Sequence, residues 1–101
     1  MIKVTYTTSA LEGIREIKEK ASVVSQKSMK ELLLTLNTKI IGKPLEDIYG
    51  LNLKGCYAIY FGEESQYRIV FEILGQDKID ILAIGFRESY LVYLDADLEK
   101  N

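Results

Sequence analysis

The chain contains no histidine, a single cysteine and a single proline among its 101 residues. Without histidine it lacks the usual general acid or base near neutral pH and the commonest metal ligand. Cys56 alone cannot form an internal disulfide, and that usage fits a reducing compartment. No apolar run approaches the roughly 18–20 residues that a membrane span needs, and no charged leader precedes an apolar block. The expected location is therefore the cytoplasm. There is no GxGxxG, P-loop or nucleophile elbow. Metal ligation would rest on carboxylates alone, and Glu63-Glu64 and Asp95/Asp97 read as a turn and a tail. No metal or cofactor is expected.

Nearly half of the residues are hydrophobic, 48%, so a packed interior is expected rather than disorder. The length suits one domain, residues 1–101. Charge is split unevenly along the chain. Residues 1–50 hold eight Lys/Arg against six Asp/Glu, 8 − 6 = +2, and residues 51–101 hold five against nine, 5 − 9 = −4. Proteins that grip nucleic acid through its phosphates usually gather cations on one face. Here the second half is acidic, and its few basic side chains stand out.

Ile2, Val4 and Tyr6 alternate with Lys3, Thr5 and Thr7, which predicts a half-buried strand. Ser9 and Glu12 fit a capping box for a helix with Leu11, Ile14, Ile17 and Ala21 on one side. The segment from Ser22 to Ser28 reads as either a turn or a continuation. Met29, Leu32, Leu33, Leu36 and Ile40 then follow helical spacing, with Gly42 and Pro44 as the stop. A helical hairpin or one long bent helix follows the first strand. From Cys56 the pattern becomes strands: Cys56 to Phe61, a turn at Gly62 to Ser65, Tyr67 to Leu74, a turn at Gly75 to Lys78, and Ile79 to Phe86. Asp95 to Asn101 reads as a polar tail. The predicted class is α+β, in the order β-α-α-β-β-β, with the helices on one face of an antiparallel sheet.

Strand parity sorts the meander. Tyr67, Ile69, Phe71 and Ile73 share the expected helix-covered face with Tyr57, Ile59 and Phe61. Arg68, Val70, Glu72 and Leu74 share the expected open face with Cys56, Ala58 and Tyr60. That open face gathers Tyr60, Arg68 and Glu72, with Arg87 at the end of the last strand and Tyr93 from the tail. Arginine grips phosphate oxygens in a fork and tyrosine stacks on bases or donates a hydrogen bond, so these are the parts of a phosphate site. The alternative is structural: Arg68 and Glu72 neutralised through neighbours, tyrosines rimming a sheet, Cys56 a small buried hydrophobe, and Lys54 a solvated turn residue.

At these residues the chain resembles the RelE/ParE superfamily of toxins from bacterial type II toxin–antitoxin modules, and more closely the RelE-like branch. The likeness runs from about Leu51 to Tyr93. It is carried by Leu53-Lys54-Gly55, Cys56-Tyr57-Ala58-Ile59, Tyr67-Arg68-Ile69-Val70-Phe71, and Ile84-Gly85-Phe86-Arg87 followed by Val92-Tyr93. The resemblance implies a metal-independent endoribonuclease that cleaves mRNA, usually on the ribosome, and is held in a hetero-oligomer by a cognate antitoxin. It implies that Arg68, Arg87 and Tyr93 are catalytic. On the residues present, Lys54 and Tyr60 would bind RNA, and without histidine or a strand lysine the general base would be Glu72, a tyrosine or Lys54. Active relatives often carry lysines on the strand that here holds Ala58 and Tyr60. The alternative on the same scaffold is a non-catalytic binding protein, such as a ParE-like gyrase inhibitor.

Overall fold

The computed structural model describes residues 1–45, 53, 55–86, 96, 98 and 99. Within them the chain runs β1 (Lys3–Tyr6), α1 (Thr8–Lys20), α2 (Val23–Thr35), β2 (Lys43–Pro44), β3 (Cys56–Phe61), a 3₁₀ turn (Glu63–Ser65), β4 (Tyr67–Gly75) and β5 (Lys78–Phe86). The strands form one sheet in the order β1-β5-β4-β3-β2. The meander β3-β4-β5 is antiparallel, as its short turns require. The sheet as a whole is mixed, because β1 lies parallel to β5, with Val4 opposite Ile79. This differs from the antiparallel sheet expected from sequence. Pairing of the first strand with the last is a long-range choice that local patterning does not record.

The helices begin at different caps from the expected one. Thr7, not Ser9, caps α1: its hydroxyl accepts from the Ala10 amide at 3.1 Å and donates to the Leu82 carbonyl at 2.7 Å. One side chain thus satisfies an orphan amide and ties the helix to β5. Ser22 caps α2 by accepting from the Ser25 amide at 3.1 Å, so the two helices form a hairpin rather than one bent rod. The buried stripe of α1 is Ala10, Gly13 and Ile17 with Ile14 beside it, while Leu11 faces outward at 53% exposure. α2 ends at Thr35, earlier than Gly42 and Pro44 implied, and Ile40 lies beyond it. Backbone bonds from Asn37 to Leu34 and from Thr38 to Thr35 close the last turn. Gly42 instead turns the chain, at φ +119°, against the Ala58 carbonyl. Pro44 then sits in the two-residue edge strand β2, a position that tolerates a missing N–H.

Two apolar clusters flank the sheet. The larger packs Ile17, Met29 and Leu36 from the helical side onto Ile59, Ile69, Phe71, Ile79 and Ile81. Gly13 lets α1 approach so closely that an added Cβ would fall on the Ile84 carbonyl oxygen. The smaller cluster lies on the other face and joins Cys56, Val70, Leu82 and Ala83 to Leu53 and Ala96, with Leu45 packed against it. The face expected to be open is therefore covered: Cys56 and Val70 are fully buried and Ala58 nearly so. Cys56 is a buried hydrophobe, and the segment expected as a polar tail contributes the buried Ala96. A bulge in β5 serves this face. Val70 pairs with Ala83 and Phe71 with Ile81, so Leu82 is the extra residue. Leu82 and Ala83 both join the smaller cluster, and Ile84 returns to the larger one. Among the described residues no helix is long and apolar enough to cross a membrane.

Candidate functional site

Three neighbouring strands bring Tyr60, Arg68 and Gly85 into one row, since Arg68 pairs with Tyr60 of β3 and with Gly85 of β5. The glycine adds no side chain beside the arginine. The Arg68 guanidinium carbon lies 4.0 Å from the centre of the Tyr60 ring, which places the cation over the π face. Arg68 is 7% exposed and Tyr60 39% exposed. Among the described residues Arg68 is the one charged side chain that is buried. A guanidinium does not lose its proton in a protein, so burial leaves it charged and the ring is part of what stabilises it. The arrangement offers a fixed cation with forked donors, next to an aromatic ring that still meets solvent. Such a pair suits a phosphodiester with an adjoining base.

Glu72 shares the strand face of Arg68 but stands four residues along it, roughly 13 Å by strand rise. Its cross-strand neighbours are Cys56 and Asp80, and Asp80 accepts a hydrogen bond from the Thr5 hydroxyl at 2.7 Å. The buried Val70 lies between Arg68 and Glu72 on the strand. Arg87, Tyr93 and Lys54 lie outside the described residues. Of the six expected site residues, then, the structure brings Arg68 and Tyr60 together and sets Glu72 apart along β4. Sequence reasoning missed Gly85 as the neighbour of Arg68. A glycine inside an otherwise apolar strand signals a bulge or close approach, and that signal was available in Ile84-Gly85-Phe86.

No family model matches the chain, and no curated protein does. Solved structures match well. A mutant of the E. coli toxin RelE in the free state superposes with a TM-score of 0.66 at 20% identity, covering 94% of this chain and 93% of that one. The YoeB/ParE toxin from Agrobacterium tumefaciens gives 0.63 at 14% identity, over 85% and 99%. The toxin–antitoxin complex RelBE of E. coli gives 0.56 at 20% identity, over 88% and 100%. The two helices on a mixed five-stranded sheet are the fold of the RelE/ParE-type toxins.

Proposed function

We propose that this chain is the toxin of a type II toxin–antitoxin module, that it stops translation by cleaving mRNA, and that a cognate antitoxin neutralises it. The observation carrying the reading is the buried Arg68 guanidinium stacked on Tyr60, on a sheet with the fold of such toxins. The likeness to the RelBE toxin–antitoxin complex supports an antitoxin as partner in a hetero-oligomer. In this reading the protein works in the cytoplasm on mRNA, on the ribosome.

The reaction needs no metal. The ribose 2′-hydroxyl attacks the adjacent phosphorus, its proton passes to a base, and the bond to the 5′-oxygen breaks as that oxygen gains a proton. Arg68, with Arg87, would stabilise the negative charge gathering on the phosphoryl oxygens. Tyr60 would stack on a base, Tyr93 would stack or help move the proton, and Lys54 would hold a neighbouring phosphate. Glu72, roughly 13 Å from Arg68 by strand rise, stands too far to take the 2′-hydroxyl proton at a phosphate that Arg68 contacts, so the base would be a tyrosine or Lys54.

One observation favours a second reading, a non-catalytic protein such as a ParE-like gyrase inhibitor. Ala58, 3% exposed, and Tyr60 occupy the positions where active relatives carry lysines, so the cationic clamp is thinner than theirs. Induced expression separates the two. Growth arrest with new RNA ends inside translated messages supports the ribonuclease. Arrest with DNA breaks and intact messages supports the gyrase reading.

A further inference from the structure

Two cross-strand rows lie side by side at one end of the sheet. Tyr60, Arg68 and Gly85 form the first, and Phe61, Tyr67 and Phe86 form the next, one residue nearer that end. Alternate residues point to opposite faces, so the second row lies on the helical side, where Phe61 and Tyr67 join the larger cluster. This second row is aromatic throughout. Phe61 stacks on Tyr67 with ring centres 5.4 Å apart, and Tyr67 packs against Phe86 at 5.0 Å. Phe61 and Tyr67 are buried, whereas Phe86 is 55% exposed. Two buried rings thus fix the plane of a third that meets water. A crevice of about 30 Å³ between Phe86 and α1 is lined by Glu16, Lys20 and Gly85 among others. That is room for about one or two waters, so a ligand has to lie on the ring rather than beneath it.

We propose that Phe86 is a stacking platform for a base of single-stranded RNA, one adjoining the nucleotide whose phosphate Arg68 holds. The size of the exposed apolar surface decides for a base. A protein interface takes about 800 Å² on each partner around an apolar centre. Here the flanking Glu16 and Lys20 are exposed and opposite in sign, and the other apolar lining, Ile17 and Ile84, is buried. One rigid ring is too little for a protein and is what a nucleobase needs. Gly85 keeps the path short, because it stands beside Arg68 across the strands, precedes Phe86 in β5 and adds no side chain between them. The inference rests on the proposed reading of the Arg68 row as a phosphate grip. It adds that the RNA bends round the sheet end at Gly85, with Tyr60 and Phe86 holding bases on opposite faces. Stacking reads no base edge, so Phe86 contributes affinity with little sequence preference.

The test uses 2′-O-methyl RNA of about six nucleotides, which lacks the attacking hydroxyl, with an abasic residue placed at each position in turn. Binding to the whole chain is read by fluorescence anisotropy, and contacts by NMR shifts of the aromatic rings. In the wild type, two abasic positions should each weaken binding roughly tenfold, and the Phe86 ring signals should move when the full oligomer binds. Phe86→Ala and Phe86→Leu should bind the full oligomer roughly tenfold more weakly and lose sensitivity to one of those positions. Tyr60→Ala should lose sensitivity to the other, and Phe86→Trp should keep the wild-type pattern. Phe86→Leu retains apolar bulk against Tyr67, so its fold should survive where alanine loosens the strand end. Unmoved Phe86 signals, or wild-type affinity in Phe86→Leu, would overturn the inference. So would a uniform loss that leaves both abasic penalties in place, or a wild type that binds none of the oligomers. New RNA ends in cells judge the ribonuclease reading separately, so the subsite can fail while that reading stands.

Discussion

Arg68 and Tyr60 sit directly opposite each other on β4 and β3, with the guanidinium carbon 4.0 Å from the ring centre. The pair is held by register rather than by loop conformation, so its geometry is as rigid as the sheet. A double-mutant cycle in urea unfolding with Arg68→Ala, Tyr60→Ala and the double variant should give a coupling of roughly 0.5–2 kcal/mol. In the activity assay Arg68→Ala should lose about 100–1000-fold, the usual consequence of removing one charge-stabilising donor. Arg68→Lys should restore little of that loss, because an ammonium lacks the fork. Full RNA cleavage by Arg68→Ala would remove this row from the mechanism.

Gly13 is buried in the middle of α1, where alanine would ordinarily be preferred by about 1 kcal/mol. Packing opposes that gain, since the new methyl would land on the Ile84 carbonyl. Overpacking of this kind costs roughly 1–3 kcal/mol, and the contact here is with backbone, which yields little. Gly13→Ala should therefore lower the melting temperature by several degrees, at about 4–8 °C per kcal/mol for a domain of this size. A rise in melting temperature would mean that α1 rides further from β5.

Thr7 caps α1 in place of the expected Ser9 and makes two hydrogen bonds in doing so. Thr7→Ala should cost roughly 0.5–2 kcal/mol or somewhat more, given the second bond to Leu82. Ser9→Ala should stay within about 0.5 kcal/mol. Chemical denaturation of the two variants side by side reads the difference, and equal losses would restore the capping box at Ser9.

What the sequence made legible is what short periods record. Alternation separated Arg68 and Tyr60 from Phe71 and Ile59, and helical spacing found Ile17 and Met29. Three features needed information that short periods lack. The parallel pairing of β1 with β5 joins residues some 75 positions apart, as the Thr5–Asp80 hydrogen bond shows. The bulge at Leu82 breaks the very alternation used to assign faces. The cover on the second face comes from Leu45, Leu53 and Ala96, single residues in segments without a period. Of the candidate site, parity placed Arg68 and Tyr60 on one face, and the strand register then sets them directly opposite each other, while Arg87, Tyr93 and Lys54 lie outside the described residues.

Tyr6 gives a pH dependence. Burial raises the pKa of its phenol above the ordinary value of 10.0. Below pH 10 the group is neutral in both states and contributes no slope. Above it the unfolded chain ionises first, the folded chain holds more protons, and stability falls as pH rises. Urea midpoints measured between pH 8 and pH 11 should decline for the wild type and decline less for Tyr6→Phe. Parallel declines would assign the alkaline loss to other groups.

Cys56 tests the covered face directly. Its side chain is fully buried beside Leu53 and Ala96, whereas an open sheet face would leave the thiol accessible. Buried thiols in apolar surroundings react slowly because the thiolate is disfavoured and the reagent cannot reach it. Labelling by a disulfide reagent at neutral pH should therefore be slow in the native protein and limited by opening of the structure. Adding urea below the unfolding midpoint should speed it in proportion to the open population. Replacing Ala96 by Asp should accelerate labelling without a comparable change in the helix-side core, since that substitution forces an unpaired carboxylate into the smaller cluster. Immediate, urea-independent labelling of the wild type would mean that the second face is bare in solution, and Arg68 with it.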